Sequence, residues 1–148
     1  MSGSTVYREY LTAQIVVGQA TAQALKLGAT DFFGLNLIAL SGSLTAGELA
    51  AKTGLSTGAA TRLIDRLEQT HYVRRVRDPH DRRKVIIEPD PSRRAELAAA
   101  LEPLRVQMAE VFARYDPAAL DILFDYFTEA TRVLRNAAQD LTDGGVSD

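Results

Sequence analysis

Residues 44–90 read LTAGELAAKTGLSTGAATRLIDRLEQTHYVRRVRDPHDRRKVIIEPD, and this stretch decides the fold. Thr45 and Glu48 have the spacing of a capping box, which predicts that a helix begins there. Glycine permits the left-handed conformation that ends helices, so this first helix should stop at Gly54. Ser56 can cap a second helix, whose apolar residues recur at spacings of three and four and therefore share one face. The apolar residues of this face are Ala60, Leu63, Ile64 and Leu67.

The opposite face of the second helix is polar, and its first residues have small side chains. Two helices joined by a short glycine-containing turn are typical of the helix-turn-helix, in which the second helix presents its N-terminal residues to base edges. Small side chains at the start of this helix would allow close approach to DNA, and Arg62 can reach a guanine edge or a phosphate. Ser56 would cap the helix and touch a phosphate. The predicted DNA-binding residues of the recognition helix are Ser56, Thr57, Gly58, Thr61, Arg62 and Arg66.

A basic hairpin is predicted directly after this helix. Residues 72–77 and 85–87 are rich in β-branched side chains, which favour strands, and an Asp-Pro dipeptide favours a turn between them. From Arg62 to Lys84 there are eight Lys or Arg and four Asp or Glu, an excess of four positive charges in a chain whose net charge is −2. Such a basic stripe indicates phosphate binding, whereas a merely solvated hairpin is the alternative. The predicted DNA-binding residues of this wing are Arg74, Arg75, Arg77, Asp81, Arg82, Arg83 and Lys84.

Several segments of the stretch carry a family resemblance. They are Leu55-Ser56, TRLIDRLE at 61–68, YVRR at 72–75, and the Asp-x-Arg of the wing, here Asp81 and Arg83. With them the stretch resembles the MarR family of winged helix-turn-helix transcription regulators. The resemblance implies that this arginine enters the minor groove, steadied by the aspartate. A cation suits a narrow A·T-rich groove because the potential there is most negative.

The resemblance has two departures from the family pattern and extends over the flanking helices. Glu88-Pro89 stands where Leu-Thr is usual, and Ala60 stands where valine is common. The first departure leaves open where the last strand of the wing ends.

The segments on either side of residues 44–90 are expected to be helical. One helix should run from Thr5 to about Leu27, and Thr30 and Ser92 are candidate caps for the two helices that come before and after the central stretch. Asp116-Pro117 predicts the start of the last helix. The first and last helices are apolar over wide arcs, which predicts a two-fold homodimer built from both chain ends. The resemblance implies the same, and the alternative is that these helices simply wrap the core.

The predicted fold class is mainly α with a small β wing, a winged helix-turn-helix flanked by N- and C-terminal dimerisation helices. The chain lacks cysteine, which excludes disulfides and thiolate metal sites, and its start lacks a secretion signal. A cytoplasmic protein that does not enter the membrane is therefore expected. The predicted organisation is one subunit over 1–148, with dimerisation helices at 5–29 and 92–141, a DNA-binding region at 30–90 and a flexible tail at 142–148.

No enzyme, metal site or cofactor is predicted. Residues 54–58 match the nucleophile elbow G-x-S-x-G, but that motif requires a strand before the serine, and here a helix precedes it. His71 and His80 are the only histidines and lack metal-ligand spacing. A group of aromatic residues could line a pocket for a small aromatic or phenolic effector, although plain core packing is the alternative. These residues are Tyr7, Tyr10, Phe32, Phe33 and Tyr115.

The functional prediction is a sequence-specific DNA-binding transcription regulator. It would act as a homodimeric repressor on a pseudo-palindromic operator of double-stranded DNA, and relief by a small-molecule effector is left open. The alternative is a winged-helix module that binds protein and not DNA.

Overall fold

The computed structural model describes residues 2–144, which form six α-helices and a two-stranded antiparallel sheet. The chain divides into two compact units, residues 1–101 and 102–148. This architecture confirms the predicted fold class, mainly α with a small β wing. In chain order the elements are α1 (Gly3–Ala24), α2 (Ala29–Ser41), α3 (Ala46–Thr53), α4 (Thr57–Gln69), β1 (Val73–Arg77), β2 (Val85–Pro89), a 3-10 turn (Pro91–Arg93), α5 (Arg94–Phe112) and α6 (Pro117–Gly144).

The helix-turn-helix has the caps that its sequence predicts. The Thr45 amide donates to Glu48 Oε2 at 2.7 Å, and the Glu48 amide donates to Thr45 Oγ1 at 3.2 Å, which completes the capping box. α3 ends at Gly54, whose φ of +70° is the left-handed conformation expected of glycine. Ser56 Oγ then accepts the Ala59 amide at 3.2 Å and caps α4. These contacts fix the turn between the two helices.

The core of the first unit lies beneath α4. The four apolar residues predicted to share one face of this helix are each fully buried: Ala60, Leu63, Ile64 and Leu67. Of these, Leu63, Ile64 and Leu67 pack with buried residues of α2, α3 and both strands, among them Leu35, Leu49 and Ile87. Since the inner face of α4 is fixed in this way, its opposite face must point to solvent.

Gly34 marks the closest approach of α2 to α4. It is buried, and a Cβ built on it would lie 2.8 Å from Leu63 Cδ2 and 3.0 Å from Leu63 Cδ1. Such contacts are well inside normal van der Waals separations. Glycine at this position therefore lets the two helices pack directly against each other.

The wing is a regular hairpin supported by a third segment. β1 and β2 pair antiparallel from Val73 opposite Pro89 to Arg77 opposite Val85, so the strand includes the Glu88-Pro89 departure. Leu44, just before α3, forms a β-bridge with Ile87 through amide–carbonyl bonds of 3.0 and 2.7 Å. This bridge attaches the wing to the start of the helix-turn-helix.

The predicted start of α2 is wrong. The helix begins at Ala29 with Gly28 as its N-cap, and no side chain caps it. The Gly28 carbonyl already accepts the Phe32 amide at 2.9 Å, so Thr30 lies inside the first turn and cannot be the cap. α1 also spans Gly3–Ala24 instead of the predicted Thr5–Leu27, because Ser2 caps it and the chain turns at Lys26, whose φ is +57°.

The predicted cap of α5 is also wrong. Asp90, and not Ser92, accepts a backbone amide at this end: its Oδ1 lies 2.8 Å from the Ser92 amide and opens the 3-10 turn. A carboxylate is a stronger acceptor than a hydroxyl, and it precedes a proline that has no amide to satisfy. α5 then continues through Pro103 to Phe112.

The second unit is dominated by α6. Asp116 Oδ1 accepts the Ala119 amide at 2.8 Å, which confirms the predicted cap before Pro117. The helix continues to Gly144, so residues 142–144 of the predicted tail are helical, and residues 145–148 lie outside the described part of the chain. Within residues 2–144, no helix has the length and apolar character needed to cross a membrane.

Candidate DNA-binding surface

The predicted DNA-binding residues of α4 are all exposed. Thr61 Oγ1 donates to the Thr57 carbonyl at 2.9 Å, so its hydroxyl proton is engaged within the helix. The Arg62 side chain lies back toward Gly58, with Nη1 3.7 Å from the position a Cβ would occupy. The exposed residues of this face are Ser56, Thr57, Gly58, Thr61, Arg62 and Arg66.

Arg66 is held by a residue of another helix. Its Nε and Nη2 donate to the two carboxylate oxygens of Asp31, on α2, at 2.9 and 2.6 Å. These hydrogen bonds raise the pKa of Arg66. The Arg66 side chain remains 51% exposed, whereas that of Asp31 is 13% exposed. Arg66 therefore fixes α4 to α2 and brings less net positive charge to the surface than its sequence position suggests.

Arg75 joins the wing to the recognition helix. From β1 its guanidinium donates to Asp65 Oδ1 at 2.6 Å and to Glu68 Oε2, both on α4, and Glu68 Oε1 also accepts the Arg75 amide at 3.1 Å. Burial disfavours the charged guanidinium, but the hydrogen bonds to the two carboxylates outweigh it and raise the pKa of Arg75. Arg75 thus connects β1 to α4, and the two carboxylates compensate its charge.

The remaining cations fall into two classes. Arg74 pairs across the hairpin with Glu88, its Nε lying 2.8 Å from Oε1. The others make no ion pair with any residue in 2–144, and each is exposed. These unpaired cations are Arg62, Arg77, Arg82, Arg83 and Lys84. Among the predicted DNA-binding residues, the positive charge that no acid compensates is therefore concentrated at the wing tip and at one position of α4.

Backbone hydrogen bonds order the wing tip. Asp78 Oδ1 accepts the amides of His80 and Asp81 at 2.7 and 3.2 Å, and the bond from His80 is the main reason that the pKa of Asp78 is lowered. Asp81 Oδ1 in turn accepts the Arg83 amide at 3.1 Å. Asp81 therefore orients Arg83 through its backbone and leaves the guanidinium free.

A side chain closes the loop from its other edge. Arg77 Nη1 donates to the Arg82 carbonyl at 2.9 Å, and the Asp78 amide donates to the Lys84 carbonyl at 3.0 Å. Arg77 thus stabilises the wing tip through a backbone carbonyl, and no acid among the described residues compensates its charge.

The aromatic residues suggested as an effector pocket do not share one environment. Phe32 is 9% exposed and belongs to the core cluster, which agrees with the alternative that these aromatic residues pack in the core. Tyr7, Tyr10 and Phe33 are 38–48% exposed in the first unit. Tyr115 is 53% exposed in the second unit. A ligand pocket for these residues stays a prediction.

Sequence reasoning missed the acidic partners of the surface arginines. Asp65 and Glu68 lie 10 and 7 residues before Arg75 on a different element, and only Glu88, which faces Arg74 in the hairpin register, had a local signal. Asp31 lies 35 residues before Arg66, so no local pattern in the sequence indicated this contact.

A capped helix-turn-helix with its outer face exposed, followed by a cationic hairpin, defines a winged helix-turn-helix protein. The family profile described as MarR family matches residues 27–85. An uncharacterized HTH-type transcriptional regulator of Bacillus subtilis strain 168, YcgE, is 35% identical over 136 residues, which cover 92% of this chain and 88% of the relative. The chain belongs to the MarR family and is a DNA-binding transcription regulator; members of this family are not enzymes.

Solved structures show the same fold. The transcriptional regulator Tm0710 of Thermotoga maritima matches with a TM-score of 0.62 and 21% identity, over 92% of this chain and 96% of that one. The transcriptional regulator BldR of Sulfolobus solfataricus matches with a TM-score of 0.55 and 26% identity, over 87% and 91% of the two chains. The likeness in fold therefore extends over nearly the whole chain and includes the flanking helices.

Ser56 allows capping to be separated from DNA contact. Ser56→Ala removes the acceptor of the Ala59 amide and should lower the free energy of unfolding by about 1 kcal/mol. Ser56→Asp should keep the cap and the stability but weaken DNA binding, because a carboxylate would face phosphate. Thermal unfolding and a DNA-binding titration on both variants test this. Undiminished DNA binding by Ser56→Asp would show that Ser56 is only a cap.

Proposed function

We propose that this regulator is a homodimeric repressor that binds a pseudo-palindromic operator through α4 and the wing. The observation that carries the proposal is the placement of the unpaired cations. Three consecutive ones, Arg82, Arg83 and Lys84, lie at the wing tip, and Arg62 lies on the exposed face of α4. A basic surface of this kind binds DNA phosphates by releasing counterions.

Base reading is assigned to the first two turns of α4. The small residues Thr57 and Gly58 let the helix backbone approach the base edges. Because the Thr61 hydroxyl proton is bonded to the Thr57 carbonyl, Thr61 presents a methyl group and an acceptor, which suit a thymine methyl or a base amino group. Arg62 has no competing acid within the described residues and is free to pair with guanine.

The wing is assigned to the minor groove and the adjacent phosphates. Arg83 would enter the groove, with Asp81 setting the course of its backbone. The other unpaired cations of the tip would contact phosphates. Cations that already pair with acids, namely Arg66, Arg74 and Arg75, would add less attraction because their charge is compensated.

The proposed dimer rests on apolar side chains that each unit exposes separately. In α1, Val6, Ile15 and Val16 are 50–62% exposed, and in α6, Ile122 and Leu141 are 72 and 79% exposed. Two-fold pairing is the commonest way to cover such faces. It would present two copies of α4 to half-sites spaced about 34–36 Å apart, one turn of DNA.

Relief of repression would work by linkage. A small aromatic or phenolic effector that prefers a dimer with wrongly spaced recognition helices lowers operator affinity by its own preference between the two states. Of the predicted contacts, Tyr7, Tyr10 and Phe33 of the first unit remain candidates, since Phe32 belongs to the core. We place this regulator in the cytoplasm, because a transcription regulator must have access to DNA.

Selection from a random DNA pool tests the proposal. The bound sequences should converge on an inverted repeat, and the logarithm of the binding constant should fall linearly with the logarithm of salt concentration. Sedimentation of the free protein should give a dimer. If no DNA is enriched and no salt-dependent binding occurs, the chain is a protein-interaction module and the proposal is wrong.

Arg62 should act as a sequence reader. Arg62→Ala is expected to cost about 1–3 kcal/mol in each half-site of the selected operator and to relax sequence choice at one position of each half-site. Repeating the pool selection with the variant measures this directly. An equal loss of affinity on all sequences would instead make Arg62 a phosphate contact.

A further inference from the structure

The end of α1, the end of α4 and the start of α5 meet at the buried side chain of Tyr72, which lies between α4 and β1 in sequence. Tyr72 is 3% exposed, and its hydroxyl donates to the Leu25 carbonyl at 3.0 Å. Leu25 is the C-cap of α1, so this bond joins the end of α1 to the chain as it leaves the recognition helix. Burial raises the pKa of Tyr72, which keeps the hydroxyl protonated and able to donate.

Arg93, just before α5, completes this junction. Its Nη1 donates to the carbonyl of Thr70, the C-cap of α4, at 2.9 Å. Its guanidinium carbon lies 4.4 Å from the centroid of the Tyr72 ring. Glu96, in the first turn of α5, fixes the guanidinium through two hydrogen bonds of 2.7 and 2.6 Å. One side chain thus contacts α4, Tyr72 and α5 together.

The chemistry of these contacts favours one geometry. The C-terminal end of a helix carries partial negative charge on its last carbonyls, and a guanidinium there is stabilising. A cation over an aromatic ring adds a second directional attraction. Because the guanidinium is planar and its donors form a rigid fork, meeting Thr70, Tyr72 and Glu96 at once restricts it to one orientation. A lysine has no such fork.

We propose that Arg93 is a positioning residue, which with Tyr72 sets the angle of the recognition helix against the end of α1 and the start of α5. This inference rests on the proposed function, because α1 and α5 belong to the segments 5–29 and 92–141, which are predicted to form the dimer. The junction would transmit the arrangement of the dimer to α4 and so define the half-site spacing that the dimer accepts. No contact of Arg93 with DNA is invoked.

A similar ion pair within α5 provides the control. Arg105 donates to Glu102 with distances of 2.7 and 2.6 Å, the same as those between Arg93 and Glu96. Among the described residues, Arg105 contacts no helix end and no aromatic ring. Since isolated surface ion pairs contribute little, Arg105→Ala should resemble the parent protein in every measurement.

The experiment measures operator affinity on a series in which the spacing between half-sites is lengthened or shortened by single base pairs. Arg93→Ala should lower affinity at the preferred spacing by about tenfold, within the range typical of coupled sites, and should flatten the dependence on spacing. The slope of binding against salt should stay unchanged, because Arg93 neutralises no phosphate. Arg93→Lys should restore affinity only in part, and Tyr72→Phe should flatten the spacing dependence while keeping the ring.

Hydrogen exchange on the free dimer tests the junction without DNA. Arg93→Ala should speed exchange at the C-terminal turn of α4, whereas Arg105→Ala should not. Parent-like spacing dependence together with parent-like exchange would overturn the proposal, and a reduced salt slope would make Arg93 a phosphate contact. A parent protein that fails to bind DNA would refute the proposed function, while the exchange result would still decide whether the junction exists.

Discussion

Arg83→Ala is expected to weaken operator binding by about 2–6 kcal/mol for a dimer, taking about 1–3 kcal/mol for a specific arginine contact in each half-site. Arg83 is exposed, makes no ion pair within residues 2–144, and has its backbone held by Asp81. Nothing in the free protein has to be broken before its guanidinium enters a groove. The full value of the contact should therefore appear in the binding free energy.

The neighbouring cation is the sharpest control for this effect. Arg82 is equally exposed at the wing tip, and its backbone carbonyl, not its guanidinium, is bonded to Arg77. Arg82→Ala removes the same charge and should lower affinity only by the amount of one phosphate contact per subunit. It should also make the salt slope shallower by about one unit for each phosphate that the variant no longer neutralises.

The two variants should also differ in sequence preference. Arg83→Ala should lose its preference for A·T base pairs at the flanks, because an arginine responds to the narrow minor groove that such sequences form. Arg82→Ala should keep that preference. The dimer mass and unfolding temperature should match the parent in both. If Arg82→Ala and Arg83→Ala prove equivalent in affinity and preference, the wing supplies only general electrostatic attraction.

Local sequence signals predicted most of the helix-turn-helix. A capping box, a glycine in the left-handed region and a serine cap each act over three or four residues, so they can be read directly from the chain. The buried face of α4 follows from helical periodicity alone. The strand pairing followed from two β-rich segments and a turn, and the register in turn places Glu88 opposite Arg74.

Interactions between distant segments could not be predicted in the same way. Whether Arg66 is free or paired depends on Asp31, which only the packing of α2 against α4 brings within reach. The bridge from Leu44 to Ile87 and the contact of Arg93 with Thr70 likewise join residues far apart in sequence. Counting the Lys and Arg residues between Arg62 and Lys84 therefore overestimated the uncompensated positive charge that DNA would meet. The caps at Thr30 and Ser92 were wrong because the helical segments begin earlier, at Gly28, which offers no side-chain acceptor, and at Asp90, which does.

The contact between α2 and α4 should give the largest effects on stability. Leu63 is fully buried on the inner face of α4, and Leu63→Ala should lower the free energy of unfolding by about 2–5 kcal/mol through reduced burial and the cavity left behind. Gly34→Ala in the parent protein should also destabilise, by about 1–3 kcal/mol, because its Cβ would overlap the Leu63 methyl groups, and Leu63 is fully buried, so that any shift of its side chain displaces core neighbours.

In the Leu63→Ala background, the effect of Gly34→Ala on the free energy of unfolding should change sign. Once Leu63 is alanine, the three atoms nearest to the Cβ at position 34 are absent, and replacing a helical glycine by alanine should then stabilise by up to about 1 kcal/mol. Gly47→Ala, in α3, is the control, since nothing lies within 4 Å of its Cβ position. Unfolding should be measured at one fixed protein concentration, because the stability of a dimer depends on concentration. If Gly34→Ala destabilises both backgrounds equally, the helices are not in the close contact described, and the surface opposite Leu63 is positioned by something other than α2.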